Sequence, residues 1–136
     1  AEADGPARRP SVAFTKERFM EEVPESLKGA RQLLLTFSNG VRLDFARNWA
    51  AQVRSVGMSG GWYIGATDDD ALSHMVAEKI PTFRMNTTLP DSEWGWGSPS
   101  FHALGPHKVS MVQQALRWGF EVIVTDTDAL VLRDPW

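Results

Sequence analysis

Two carboxylates one residue apart, Asp126 and Asp128, follow an apolar run in EVIVTDTDALVLRDPW. Residues 122–125 read as a buried strand, and an unpaired carboxylate beside an apolar interior is costly. In an extended segment residues i and i+2 point the same way. Two negative charges then face one point and call for a cation or a shared proton. The chain has no cysteine, and oxygen ligands without clustered histidine favour a hard divalent ion, Mn²⁺ or Mg²⁺. Two protein carboxylates leave coordination positions for water and substrate phosphates, so a metal-bound diphosphate is a natural partner. The spacing alone is not specific: Asp-x-Asp also arises by chance, and Asp128 can simply cap a turn.

A second chemistry uses the same pair. Phosphatases of the haloacid-dehalogenase type place Asp-x-Asp after an apolar strand, one Asp as nucleophile and one as acid/base. Their motif normally continues with Gly-Thr, where this chain reads Ala129-Leu130, and it sits on an early strand, whereas three strands are expected before this one. This reading ranks second.

The elements that must position the pair follow from periodicity. Residues 1–13 are rich in Pro, Ala and Arg without a pattern and read as a flexible lead-in. A short helix is expected from Thr15, broken at Pro24. Residues 33–37 form an apolar run ended by Ser38-Asn39-Gly40, a buried strand and its turn. Phe45, Trp49, Val53 and Val56 then recur at helical spacing, with Asp44 at the start and Gly57 as the stop. A second strand over 62–66 runs into Thr67-Asp68-Asp69-Asp70. Leu72, Met75, Val76 and Ile80 make a second helical stripe closed by Pro81, and PTFRM is a short third strand. Residues 86–105 read as a long loop of the kind that tends to be functional or disordered. Pro106 is expected to open a third helix, with Val109, Val112, Ala115 and Leu116 on one face, before a last strand over 120–125.

Strands alternating with helices predict an α/β fold with a mostly parallel sheet. Right-handed crossovers put every strand-to-helix turn on one edge, beyond the carboxyl ends where ligands bind. Three polar clusters meet there: Ser38-Asn39, residues 67–70, and Asp126-Thr127-Asp128.

The totals set bounds on partners. A chain of 136 residues supports one domain with a modest core. Its net charge of -3 does not favour nucleic acid. No apolar run is long enough to span a membrane, and AEADGPARRP lacks the pattern of a signal peptide. Without cysteine there are no disulfides or thiolate metal sites in this segment.

GFEVIVTDTDALVLRDP, preceded by GPHKVSMVQQALRW and WGWGSPSFHALG, resembles the nucleotide-diphospho-sugar transferase family, glycosyltransferase family 77, with the greatest likeness to the extensin arabinosyltransferases of plants and green algae. The opening LLLTFSNGVRLDFARNWAAQVRSVG is similar to that family's first strand and helix. The resemblance implies a GT-A type, Rossmann-like sheet whose Asp-x-Asp holds Mn²⁺ (or Mg²⁺) against a UDP-sugar diphosphate. It implies a retaining enzyme of the Golgi lumen, anchored by a membrane segment outside this chain. The implied donor is UDP-β-L-arabinofuranose and the implied acceptor a glycan on hydroxyproline-rich cell-wall glycoprotein. Residues 1–30 are then expected to be a flexible lead-in with a short helix, and the resemblance implies that 31–136 are the donor-binding half of a domain cut after its Asp-x-Asp strand.

Position by position, the resemblance assigns Asp126 and Asp128 to metal and diphosphate, and Lys108 to a donor phosphate or sugar hydroxyl. Thr36, Phe37, Ser38 and Asn39 fall where the nucleotide is held, and Asp68 near uridine or ribose. Trp94, Trp96 and Ser98 lie in the loop that could meet the sugar. No nucleophile or base is assigned. Ala129 and Val131 depart from the family pattern, where relatives often carry a larger apolar residue and a Trp. Plain alternatives remain beside these roles: a solvated Lys108, packed tryptophans, and Asp69 and Asp70 serving a helix start. His74 reads as structural, and His102 and His107 lack zinc spacing. A non-catalytic sugar-nucleotide-binding segment is the third function considered.

Overall fold

The apolar run at residues 33–37 lies at the heart of the sheet. The computed structural model describes residues 12–87 and 97–136. Strands β1 (Arg31–Ser38), β2 (Gly61–Ala66), β3 (Thr82–Arg84) and β4 (Phe120–Val124) form one all-parallel sheet in the order β3-β2-β1-β4. Because β1 is paired on both sides and covered on both faces, its apolar residues are continuous rather than alternating. Leu33, Leu34 and Leu35 are at most 1% exposed, and each contributes about 1.5–3 kcal/mol of burial.

Helices α1 (Lys16–Glu22), α2 (Leu43–Val56), α3 (Asp69–Ala77) and α4 (Pro99–Arg117) cover the two faces. Leu34, Ile64 and Ala66 pack with Trp49 and Val53 of α2 and Met75 of α3. On the other face Leu33, Leu35, Tyr63, Phe83 and Phe120 meet Phe19 of α1 and Met111 and Ala115 of α4. The steps from β1 to β2 and β2 to β3 run one way with their helices on one face. The step to β4 runs back past β1 with its helix on the other face, as right-handed crossovers require. The chain therefore reverses direction between β1 and β4. Such a switch point opens a crevice at the carboxyl ends of the two strands.

The expected α/β class and parallel sheet are present, and several details differ. The third major helix starts at Pro99, not Pro106. Ser98 caps it by accepting from Phe101 N at 3.2 Å, and Pro99 suits the first helical turn, where its missing N–H costs nothing. Pro106 lies inside α4, where it forgoes a single bond to the His102 carbonyl on an exposed turn. Phe45 does not join the core stripe of α2, which is Leu43, Ala46, Trp49, Ala50 and Val53; it is 36% exposed. β4 is only half-buried, because it lies at a sheet edge among the described residues. The segment before β1 is packed from Phe14 onward: Phe14 stacks on Phe83 at 4.6 Å, and Phe19 and Val23 are fully buried. The Tyr63 hydroxyl donates to Glu22 Oε2 at 2.6 Å, and burial together with that carboxylate raises its pKa well above the ordinary tyrosine range.

Candidate functional site

A cleft of about 660 Å³ lies at the β1/β4 switch point, within the size range of ligand pockets. Its floor is the end of β1 and the turn after it: Phe37, Ser38 and Asn39. Asn39 Oδ1 accepts from Arg42 N at 3.1 Å, closing a 3₁₀ turn over Gly40–Arg42. The Ser38 hydroxyl donates to the Asn39 and Arg42 carbonyls at 3.0 and 3.3 Å, which folds the turn onto itself. One wall is Arg42 and Phe45, with the guanidinium 5.4 Å from the ring centroid. The opposite wall comes from α4, through Phe101, Leu104, Gly105 and Lys108, and the third side is Asp126, Thr127 and Asp128.

The acidic pair is set on a turn, not on an extended segment. Ala129 N donates to the Asp126 carbonyl at 3.1 Å, so residues 126–129 reverse the chain. Both aspartates are exposed, so the expected burial against the interior is absent: the turn lifts them off the sheet edge into the cleft mouth. Their burial cost is small, and both line the cleft, where a positive counter-charge can reach them. Lys108 supplies one such charge. Its Nζ donates to Asp126 Oδ1 at 3.0 Å and lies 5.2 Å from the Phe37 ring centroid.

What fixes the turn is a set of bonds just before it. Thr125 N donates to the Leu35 carbonyl at 2.9 Å. The Thr36 hydroxyl donates to the Thr125 carbonyl at 2.7 Å, and Trp49 Nε1 donates to Thr125 Oγ1 at 3.1 Å. After the turn, Val131 is 8% exposed and packs in the α2-side core, and Ser59 N donates to Asp134 Oδ2 at 3.0 Å. Hydrogen bonding by Ser59 holds the Asp134 carboxyl below its ordinary pKa. The acidic turn is thus anchored to β1 and α2 before it and to the start of β2 after it.

Of the residues singled out in the sequence, Phe37, Ser38, Asn39, Lys108, Asp126 and Asp128 come together in the cleft. Thr36 lies beneath it, 0% exposed, with its hydroxyl committed to Thr125. Asp68 is 6% exposed and holds two backbone groups: Oδ1 accepts from Ala71 N at 2.8 Å as the cap of α3, and Oδ2 accepts from Gly40 N at 3.0 Å. It stitches the β1 turn to α3 rather than lining the cleft. Ser98 caps α4, and Trp94 and Trp96 fall outside the described residues. Thr127, part of the acidic cluster, also lines the cleft, as do Arg42, Phe101, Leu104 and Gly105, which the sequence did not single out, and Phe45, which it assigned to the core stripe. Arg42 and Phe45 had one available signal: they follow a strand-ending turn on the ligand edge. Phe101 was masked by the assumption that α4 began at Pro106.

The donor set suits a hard divalent ion. Asp126 and Asp128 supply only oxygen, and among the described residues no group of three or more His, Cys, Asp or Glu side chains gathers at one point. The protein would supply two carboxylates and leave the other positions to water and substrate oxygens. His102 and His107 lie on α4 without such a group.

The nucleotide-diphospho-sugar transferase family profile matches residues 61–136, which include β2, α4, β4 and the acidic turn. The chain is 31% identical over 122 residues to Arabinosyltransferase XEG113 of Arabidopsis thaliana, a match covering 90% of this chain and 18% of that relative's length. No solved structure gives a significant match.

Proposed function

The chain belongs to the nucleotide-diphospho-sugar transferase family, and on that premise we propose that its cleft holds the diphosphate of a sugar nucleotide through a divalent ion at Asp126 and Asp128. The observation that carries this reading is the meeting of the acidic turn, the β1 turn and Lys108 at the β1/β4 switch point. Mn²⁺, or Mg²⁺, would neutralise charge on the departing nucleoside diphosphate. Lys108 would pair with a phosphate oxygen once a cation takes over Asp126, a role its contact with that carboxylate supports. The β1 turn and the Arg42–Phe45 wall form the part of the cleft suited to the nucleoside, and the α4 wall the part suited to the sugar. Stabilisation of charge developing on the leaving group is then the chief contribution of this cleft.

The name of the Arabidopsis relative, an arabinosyltransferase, supports arabinose as the sugar transferred. The full proposal is retaining transfer of L-arabinofuranose from a UDP-sugar to a glycan on hydroxyproline-rich glycoprotein, in the Golgi lumen. The test is a screen of UDP-sugars with Mn²⁺ against arabinosylated hydroxyproline peptides, with UDP binding measured on the same sample. Transfer specific to UDP-arabinofuranose supports the proposal in full. Metal-dependent UDP binding with no transfer from any donor would leave a sugar-nucleotide-binding module, and a phosphorylated Asp126 would move the chain to phosphatase chemistry.

A further inference from the structure

The cation nearest the acidic pair is the protein's own. Lys108 Nζ sits 3.0 Å from Asp126 Oδ1, with the lysine side chain 31% and the aspartate 64% exposed. The aliphatic stem is held by α4, and the ammonium also lies 5.2 Å from the Phe37 ring centroid. This ammonium therefore meets the carboxylate and the ring face at once, from one position in the cleft.

Resting on the metal reading above, we propose that Lys108 is a resident counter-cation that competes with the divalent ion for Asp126 and so couples metal binding to diphosphate binding. A metal arriving alone must break the Lys108–Asp126 pair and then sit beside a displaced ammonium, two like charges at close range. A metal arriving with a diphosphate meets no such penalty, because the freed ammonium pairs with a phosphate oxygen. The same contacts make the site prefer the metal–diphosphate complex over either part. The coupling is reciprocal: UDP tightens Mn²⁺ by the factor by which Mn²⁺ tightens UDP. Lys108 is on this account a positioning residue in the free protein and a phosphate contact in the complex. The Phe37 ring, already 5.2 Å from the ammonium, would keep it in the cleft once Asp126 is given up.

The test is calorimetric titration of Mn²⁺ into the full chain, with and without saturating UDP, for wild type, Lys108→Met and Lys108→Arg. Lys108→Met should bind Mn²⁺ alone about two- to fivefold more tightly, the size of one exposed ion pair. The factor by which UDP tightens Mn²⁺ should shrink by about the same amount. Lys108→Arg, which keeps the charge, should not tighten metal binding, nor should Arg117→Met at the far end of α4. Lost packing alone would weaken metal binding, not strengthen it. Unchanged or weaker Mn²⁺ binding in Lys108→Met overturns the inference, as does equal tightening in Arg117→Met or a wild type whose Mn²⁺ affinity ignores UDP. Mn²⁺ binding that persists in Asp126→Asn and Asp128→Asn, or is absent in wild type even with saturating UDP, instead defeats the metal reading beneath it.

Discussion

Thr125→Val tests how the acidic turn is held. Threonine and valine share shape and β-branching, so the substitution removes one atom's chemistry, the Oγ1 that accepts from Trp49 Nε1 at 3.1 Å. Trp49 is 0% exposed, so its indole N–H is left buried without an acceptor. Stranding a buried donor costs about 1–3 kcal/mol. At this chain length that is a fall of roughly 3–15 °C in Tm. The Thr36 hydroxyl and Leu35 carbonyl still hold the Thr125 backbone, so the strand should survive while its end loosens. Because Asp126 is the next residue, Mn²⁺ affinity should weaken as well. The assay is thermal denaturation followed by circular dichroism, with Mn²⁺ titration on the same samples. Thr125→Ser keeps the acceptor and should recover most of both losses. In a double-mutant cycle with Trp49→Phe the second substitution should cost less in the Thr125→Val background, since the shared bond is already gone. A Thr125→Val chain melting within about 1 °C of wild type would refute the anchoring argument.

Three further outcomes follow from the packing and the ionisable groups. Gly60→Ala should lower stability by about 1–3 kcal/mol in urea denaturation, because a Cβ there would lie 2.7 Å from the Gln32 carbonyl oxygen. Tyr63 is the chain's single tyrosine, so absorbance of tyrosinate reports it alone. Its pKa is raised in the fold by burial and by Glu22, so stability is intact below the unfolded tyrosine's pKa of about 10 and falls as pH rises above it. Tyr63→Phe should remove that alkaline loss. Asp68→Ala should cost about 0.5–2 kcal/mol through the α3 cap and also free Gly40 N, with Asp68→Asn retaining more of the stability and of UDP affinity.

The sheet was legible because β1 writes its double-sided burial as an unbroken apolar run, and because Gly57 marks the end of α2 by its left-handed backbone. The start of α4 was not, since Pro106 signals a beginning more loudly than Ser98-Pro99, and an exposed helix can spare one bond. The acidic residues were legible as a site, but their conformation was not: a two-residue spacing looks the same in a strand and in a turn. What decides between them is the bond from Ala129 N to Asp126 O together with the anchoring of Val131 and Asp134. Asp68 takes its place near uridine or ribose from the resemblance alone, and its capping role was not legible because an acidic residue at a strand's end can serve either. Its two oxygens are taken by Ala71 N and Gly40 N, a partnership between segments far apart in sequence. Phe45 shows the converse: its spacing fits the core stripe, yet the cleft beside the β1 turn leaves it facing outward.

The central claim is that Asp126 and Asp128 hold a divalent ion against a nucleoside diphosphate. Its most direct test is UDP binding by calorimetry with Mn²⁺ and with chelator, on wild type, Asp126→Asn and Asp128→Asn. UDP binding should require Mn²⁺ in wild type and be lost in both variants, with their folds intact by circular dichroism. Mn²⁺-dependent UDP binding of wild-type strength in both variants would contradict it.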